Sequence, residues 1–350
     1  MRLDRAVVLF TRDLRVHDHP ALAAAHREAR SVVRLFVRDP SLPAPVRRRG
    51  LLESLLRDVP DLRTAHGDPV EEVARFAPDA VYCSRDASPY ARRRERRLAE
   101  RFDLRLHPGS TVVDFDDLKP YKVFTPYHRA WSQAPRRDLE DPPSPAPETD
   151  ARRALAAFLQ TDADSGSRLG AYLHFGALSP LECVARGAAK PEFVRRLAWR
   201  DFYAQLLRAD PARFALGAPD EGGELFAAWR AGRTGYPLVD AGLRQLELEG
   251  YMPNRVRLVV ASFLVHDLGL DWRLGARHFE ELLLDADVAS NRGNWLWVAE
   301  NTRRVFNPVL QAERLADYVR RFVTVDAGYP DPVIAPAGLA VKRRRRRLRS

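Results

Sequence analysis

The segment Asp285-Ala-Asp287-Val-Ala-Ser-Asn291-Arg-Gly-Asn-Trp295-Leu-Trp297 sets carboxylates, an amide and an indole at regular intervals. Asp287, Asn291 and Trp295 are spaced i, i+4 and i+8, so on a helix they share one face. Such a stripe makes a poor apolar core and a poor solvent face. It makes a good wall for a polar aromatic ligand. The spacing alone also allows a buried polar network with Trp295 as packing.

Three further segments mix chemistry-bearing residues. In Met252-Pro-Asn254-Arg255-Val-Arg257, Pro253 opens a helix, and Asn254 and Arg257 share a face just before the apolar run VVASFLV. A charge beside a core-facing run needs a partner, and Asp285 is a candidate. A capped helix with surface arginines is the plainer reading. In Ser165-Gly-Ser167-Arg168-Leu169-Gly170, small residues with exposed amides and hydroxyls suit a diphosphate cradle. Ser179-Pro180 downstream reads as a helix start. The stretch Arg196-Leu-Ala-Trp199-Arg200-Asp-Phe-Tyr203 mixes aromatics with cations on a helix. That mixture suits stacking on a base and neutralising phosphate, or a helix with its aromatics in the core.

These residues must be positioned by two kinds of element. Strands are expected at Ala6–Phe10, Ser31–Val37, Asp79–Cys83 and Leu104–His107, with amphipathic helices near 20–29, 46–57, 70–77 and 88–102. Strand–helix alternation implies a doubly wound parallel sheet. No Gly-x-Gly-x-x-Gly follows the first strand, so the usual dinucleotide fingerprint is absent. Five prolines in Gln133–Thr149 mark a linker, after which only helical patterns run, near 151–160, 179–188, 191–209, 224–231, 237–250, 253–268, 271–284, 287–299 and 309–320. The expected organisation is an α/β domain (1–130), a Pro-rich linker (131–150), an all-α domain (151–335) and a basic tail (336–350).

The net charge is +10, and Lys342, Arg343 to Arg347 and Arg349 supply seven of the positive charges. A basic tail holds nucleic acid loosely and in a salt-dependent way, or is simply a solvated terminus. No apolar run approaches membrane-spanning length, and the charged N-terminus does not resemble a signal peptide. Cys83 and Cys183 have no metal-ligand spacing and read as buried thiols, which fits a soluble, monomeric, cytoplasmic protein without a metal site.

In order along the chain, the segments resemble the photolyase/cryptochrome family. Thr11-Arg-Asp-Leu-Arg-Val-His-Asp-His-Pro-Ala-Leu22 and Tyr121-Lys-Val-Phe-Thr-Pro-Tyr127 resemble the start and end of its antenna domain. Gly232 to Asp240, MPNRVRL, ASFLVHDL, Leu284 to Trp297 and Arg304-Val-Phe-Asn-Pro308 resemble its flavin domain. The resemblance implies FAD in the helical domain. Ser167, Arg168, Leu169 and Gly170 would meet its phosphates, and Asn254, Arg257, Asp285 and Asp287 would surround the flavin and ribityl chain. Asn291 would face flavin N5, and Trp295 and Trp272 would relay electrons. Trp199 would stack on an extruded pyrimidine dimer, with Arg196, Arg200, Tyr203, Arg255 and Arg304 toward DNA. The implied activity is light-driven dimer splitting by an electron from reduced FAD. Asp86-Ala-Ser-Pro-Tyr90-Ala-Arg-Arg-Arg94-Glu95 resembles the motif of deazaflavin-binding members more than that of folate-binding ones.

The sequence departs from the family where Arg196 replaces a dimer-reading Glu, so an acceptor becomes a donor. The outer relay tryptophan is missing near Pro219, leaving Trp229 or Tyr203 as substitutes. The segment before the phosphate loop is short, Gly166 replaces a Thr, and the regions near Leu51–His66 and after Phe322 are trimmed. A cryptochrome-like photoreceptor without repair activity and a plain DNA-binding scaffold are the competing expectations.

Overall fold

The structure is a computed structural model that describes residues 2–42, 45–143, 146, 148–162, 166–336 and 339–340. Ser165 and the basic run 342–349 lie outside the described residues. The chain divides into two compact units, Met1–Arg213 and Phe214–Ser350.

The first unit is built on a parallel five-stranded sheet. Its strands are β1 (Leu3–Phe10), β2 (Ala29–Arg38), β3 (Leu62–His66), β4 (Ala80–Ser84) and β5 (Leu104–His107), in the order β3-β2-β1-β4-β5. Val7, Val8 and Leu9 in β1 and Val81, Tyr82 and Cys83 in β4 are buried, because a central parallel strand is covered on both faces. Such strands read as continuous apolar runs, and both were legible. β3 was not anticipated. Its residues LRTAH lie at the sheet edge, three of the five exposed, so no apolar run marks it.

Helices α1 (Pro20–Glu28), α2 (Val46–Arg57), α3 (Pro69–Ala74) and α4 (Pro89–Ala99) connect the strands. Then come α5 (Phe124–Gln133), α6 (Asp150–Gln160), α7 (Gly170–Phe175), α8 (Pro180–Arg186) and α9 (Pro191–Ala209). Five of these begin on a proline, whose missing N–H costs nothing in a first turn. The His19 ring caps α1 by accepting from the Leu22 amide at 3.2 Å, and Ser179 caps α8. α5 and α7 were not expected. α7 is only six residues long and opens on glycine, which gives no periodic signal.

The segment after β1 acts as a clamp instead of a nucleotide loop. Buried Arg15 donates to the carbonyls of Asp18, Gly109 and Gly176, and Arg12 Nε donates to the His174 carbonyl at 2.9 Å. These bonds hold α7, and with it the turn at 166–170, against the sheet. The Pro-rich linker is also pinned: Arg137 pairs with Asp18, and the Asp18 amide donates to the Glu140 carbonyl at 2.8 Å.

The second unit contains α10 (Gly223–Arg230), α11 (Pro237–Glu249), α12 (Asn254–Ser262), α13 (Trp272–Leu282), α14 (Val288–Glu300), α15 (Pro308–Arg314) and α16 (Ala316–Phe322). No strand follows His107 among the described residues. Two expected helices are corrected. The one at 253–268 changes to a π-helical turn at Phe263–Asp267, because apolar periodicity does not distinguish i−4 from i−5 bonding. The one at 309–320 breaks at Leu315, whose ψ of 31° departs from the helix.

Candidate functional site

In the second unit the polar stripe is assembled by α12, α13 and α14. Asp287 lies one residue before α14 rather than within it; its carboxylate caps the helix by accepting from the Ser290 amide at 2.7 Å. Asn291 and Trp295 follow on the same face, both buried. Arg257, in the first turn of α12, donates to both oxygens of Asp285 at 3.0 and 3.1 Å and to the Met252 carbonyl at 2.7 Å. The partner expected for this charge is therefore present, and the pair remains half-buried. Asn254 and Arg255 are exposed at the start of α12.

The Asn291 amide donates to the Ala276 carbonyl at 2.9 Å and to Glu280 at 3.4 Å. Glu280 is in turn gripped by Arg292 through Nε (2.6 Å) and a terminal nitrogen (2.9 Å). Sequence reasoning missed Glu280 and Arg292, because the pair joins two helices and leaves no spacing signal within either.

Trp295 sits in an aromatic cluster. The Phe279 ring is 5.1 Å away and the Trp229 ring 6.2 Å away, both edge-on. Gly275 permits this packing; a Cβ there would fall 2.1 Å from the Trp295 ring. Trp272 begins α13 and is nearly buried, with Arg273 over its ring. Trp229 is fully buried and donates its indole N–H to the Val260 carbonyl at 3.3 Å. It packs edge-on against Trp295 and has no exposed edge. Exposed Arg255 and Arg304 lie over the rings of Phe306 and Trp297, at 5.8 and 5.7 Å.

In the first unit, the turn at 166–170 alternates in handedness. Gly166 has φ +79° and Arg168 φ +53°, whereas Leu169 has φ −79°. Alternation of this kind points successive backbone N–H groups into one concavity, an anion nest. The Ser167 hydroxyl accepts from the Leu169 amide at 3.4 Å, and Gly170 opens α7. On α9, Arg196 is exposed. Trp199 is half-buried and stacks on Phe124 with ring centroids 3.7 Å apart and planes 8° from parallel. Arg200 donates to the Ser110 and Leu173 carbonyls, and Tyr203 is buried behind Trp199, where burial pushes its phenol well up. Next to Arg200, burial raises the Asp201 carboxyl to about 6 despite hydrogen bonds from the Val112 and Trp131 N–H groups.

The sheet order reverses between β1 and β4, the crevice where open α/β sheets bind ligands. Residues of the Asp86–Glu95 motif collect there. Arg12 lies 3.6 Å from Asp86, Tyr90 donates to Asp39, and Glu95 accepts from the Asp86 amide at 3.3 Å. Arg94 is near the Cys83 sulfur, and burial pushes the Cys83 and Cys183 thiols up to about 12.

One unit carries a doubly wound parallel sheet, and the other is helical with a polar, indole-bearing stripe. The family description "DNA photolyase" matches residues 6–148, and "FAD binding domain of DNA photolyase" matches residues 193–347. The deoxyribodipyrimidine photo-lyase of Streptomyces griseus is 37% identical across 91% of this chain and 89% of its own length. A Thermus thermophilus deoxyribodipyrimidine photo-lyase is 36% identical across 86% of this chain and 87% of its own. An archaeal photolyase structure from Sulfolobus tokodaii, described with two FAD molecules, superposes with a TM-score of 0.86 at 27% identity, covering 99% of this chain and all of that one. A Synechocystis cryptochrome, at 22% identity, covers 98% of this chain and 99% of its own with a TM-score of 0.85 and shares the fold. The chain belongs to the DNA photolyase family.

The residues present fit FAD. In the second unit, the Asn291 carbonyl oxygen accepts from none of the described residues. Arg257 and Asp285 add a half-buried polar edge. No helix among the described residues is long and apolar enough to cross a membrane.

Proposed function

We propose that this protein uses light to reverse pyrimidine dimers in DNA, with FAD as its working cofactor. What carries the reading is the Asp285–Asn291–Trp295 wall, in a chain 37% identical to a deoxyribodipyrimidine photo-lyase. FAD, when bound and reduced, supplies the light-driven electron that opens the dimer and recovers it afterwards. The residues do the rest. Ser167, Arg168, Leu169 and Gly170 bind the diphosphate; Asn254, Arg257, Asp285 and Asp287 hold the flavin and its ribityl chain. Asn291 would lie beside N5, and Trp295 and Trp272 would pass electrons inward to reduce the flavin.

Trp199 offers the ring face opposite Phe124 to an extruded dimer, whose unstacking is cheapest where the lesion has already weakened pairing. Arg196 donates to thymine carbonyl oxygens in place of the acceptor usual in the family. Arg255 and Arg304 neutralise phosphates, which sets orientation rather than sequence. Arg200 and Tyr203 support this surface from beneath. The protein acts as a cytoplasmic monomer.

The crevice beside Asp86 takes an antenna pigment, a deazaflavin in preference to a folate, on the strength of the Asp86–Glu95 motif. The archaeal relative is described with two FAD molecules, so a second flavin is the alternative the test distinguishes.

The test is to illuminate the purified, reduced protein with a dimer-containing oligonucleotide and measure restored thymines. Restoration is expected. Its absence in protein that retains flavin ends the repair reading, and light-dependent partner binding in its place supports a photoreceptor. The absorption spectrum of the same preparation identifies any second pigment.

A further inference from the structure

Asn291 has two amide hydrogens, and the protein uses both. One goes to the Ala276 carbonyl at 2.9 Å, the other to Glu280 Oε1 at 3.4 Å. The only polar atom of the amide left for a ligand is Oδ1, which can accept but not donate. Rotating the amide by half a turn would put Oδ1 against a carbonyl and a carboxylate, two acceptors facing a third. The Ala276 carbonyl belongs to the backbone of α13 and cannot turn away. Glu280 is also held: Arg292 takes both of its oxygens, at 2.6 and 2.9 Å, and ties its remaining nitrogen to the Phe214 carbonyl at 3.1 Å. A charge-assisted fork of this type fixes geometry as well as charge.

We infer that Glu280, clamped by Arg292, is a positioning residue that makes Asn291 present its carbonyl oxygen to the flavin. An acceptor at that place favours a flavin with hydrogen on N5 and disfavours one whose N5 is itself an acceptor. This rests on the proposed reading of Asn291 as the neighbour of N5. Glu280 and Arg292 are partly exposed whereas Asn291 is buried, so the pair also separates the amide from solvent.

The test compares the full chain with Glu280→Gln, Glu280→Met and the double variant Glu280→Met/Arg292→Met. Flavin per protein is measured first. Each protein is then reduced by one electron, and its absorption is followed against pH to find where the N5 proton is lost. The unaltered chain and Glu280→Gln, which keeps an acceptor oxygen, are expected to hold the proton to similar pH. Glu280→Met is expected to retain FAD within about twofold and to lose the proton about one unit lower, a roughly tenfold fall in proton affinity. The double variant, which strands no arginine, should match it and serves if the single variant does not fold. Equal proton loss in all four proteins, with flavin retained, overturns the inference alone. An unaltered chain that binds no flavin overturns it together with the proposed function.

Discussion

Arg257 reaches across from α12 and divides one nitrogen between the two carboxylate oxygens of Asp285, at 3.0 and 3.1 Å. The two residues are 28 positions apart in sequence. Replacing Asp285 by Ala leaves the guanidinium half-buried with the Met252 carbonyl and the Tyr251 ring. Flavin retention is expected to fall roughly tenfold, equivalent to about 1.4 kcal/mol, modest because the pair is partly solvated. The flavin-to-protein absorbance ratio after gel filtration reads this directly.

Trp199 and Phe124 make a separate prediction. Trp199→Ala should weaken binding to dimer-containing DNA by the value of one base–aromatic stack, about 1–3 kcal/mol, and leave the flavin spectrum intact. Phe124→Ala should produce a smaller loss in the same direction, since it frees the indole from its parallel stack. Fluorescence anisotropy with damaged and undamaged duplexes measures both. Loss of flavin in Trp199→Ala with retention in Asp285→Ala would show that the two sites are exchanged.

Gly275 is the close-approach point between α13 and Trp295. Gly275→Ala removes a helix-weakening residue, yet its Cβ would fall 2.1 Å from the Trp295 ring. Overpacking should prevail, at about 1–3 kcal/mol of stability or more, seen as a lower Tm and altered tryptophan fluorescence. A rise in Tm would mean that the ring moves aside freely.

His278 adds a pH dependence. Burial, with a contribution from the Arg230 charge, lowers its pKa from 6.5 to about 4, and its ring lies edge-on to Trp229. Above pH 6.5 the imidazole is neutral in both folded and unfolded chains and carries no penalty. Between 6.5 and 4 the unfolded chain binds the proton first, so stability falls as pH falls. The full loss is of order 3 kcal/mol. In His278→Phe that acid-side loss should shrink, as measured by urea denaturation at about pH 7, above the window, and at about pH 4.5, near its lower end.

Most of the fold was legible because its signals are local. Apolar runs in β1 and β4, prolines at helix starts and the Ser179 cap each declare themselves within a few residues. β3 escaped because an edge strand needs no apolar run, and the π turn escaped because periodicity does not report its bonding. The clamp by Arg12 and Arg15 joins residues 162 and 161 positions apart, beyond any local pattern.

The chemistry of the site divides in the same way. That Asn291 and Trp295 share a face follows from their spacing, since a helix imposes its own periodicity, whereas the place of Asp287 as the helix cap does not. Which atom of Asn291 is open to a ligand, what holds Arg257, and which face of Trp199 is covered all depend on neighbours from other elements. Packing brings Glu280, Asp285 and Phe124 to those places, so only the tertiary structure decides what each sequence-encoded group can donate, accept or stack upon.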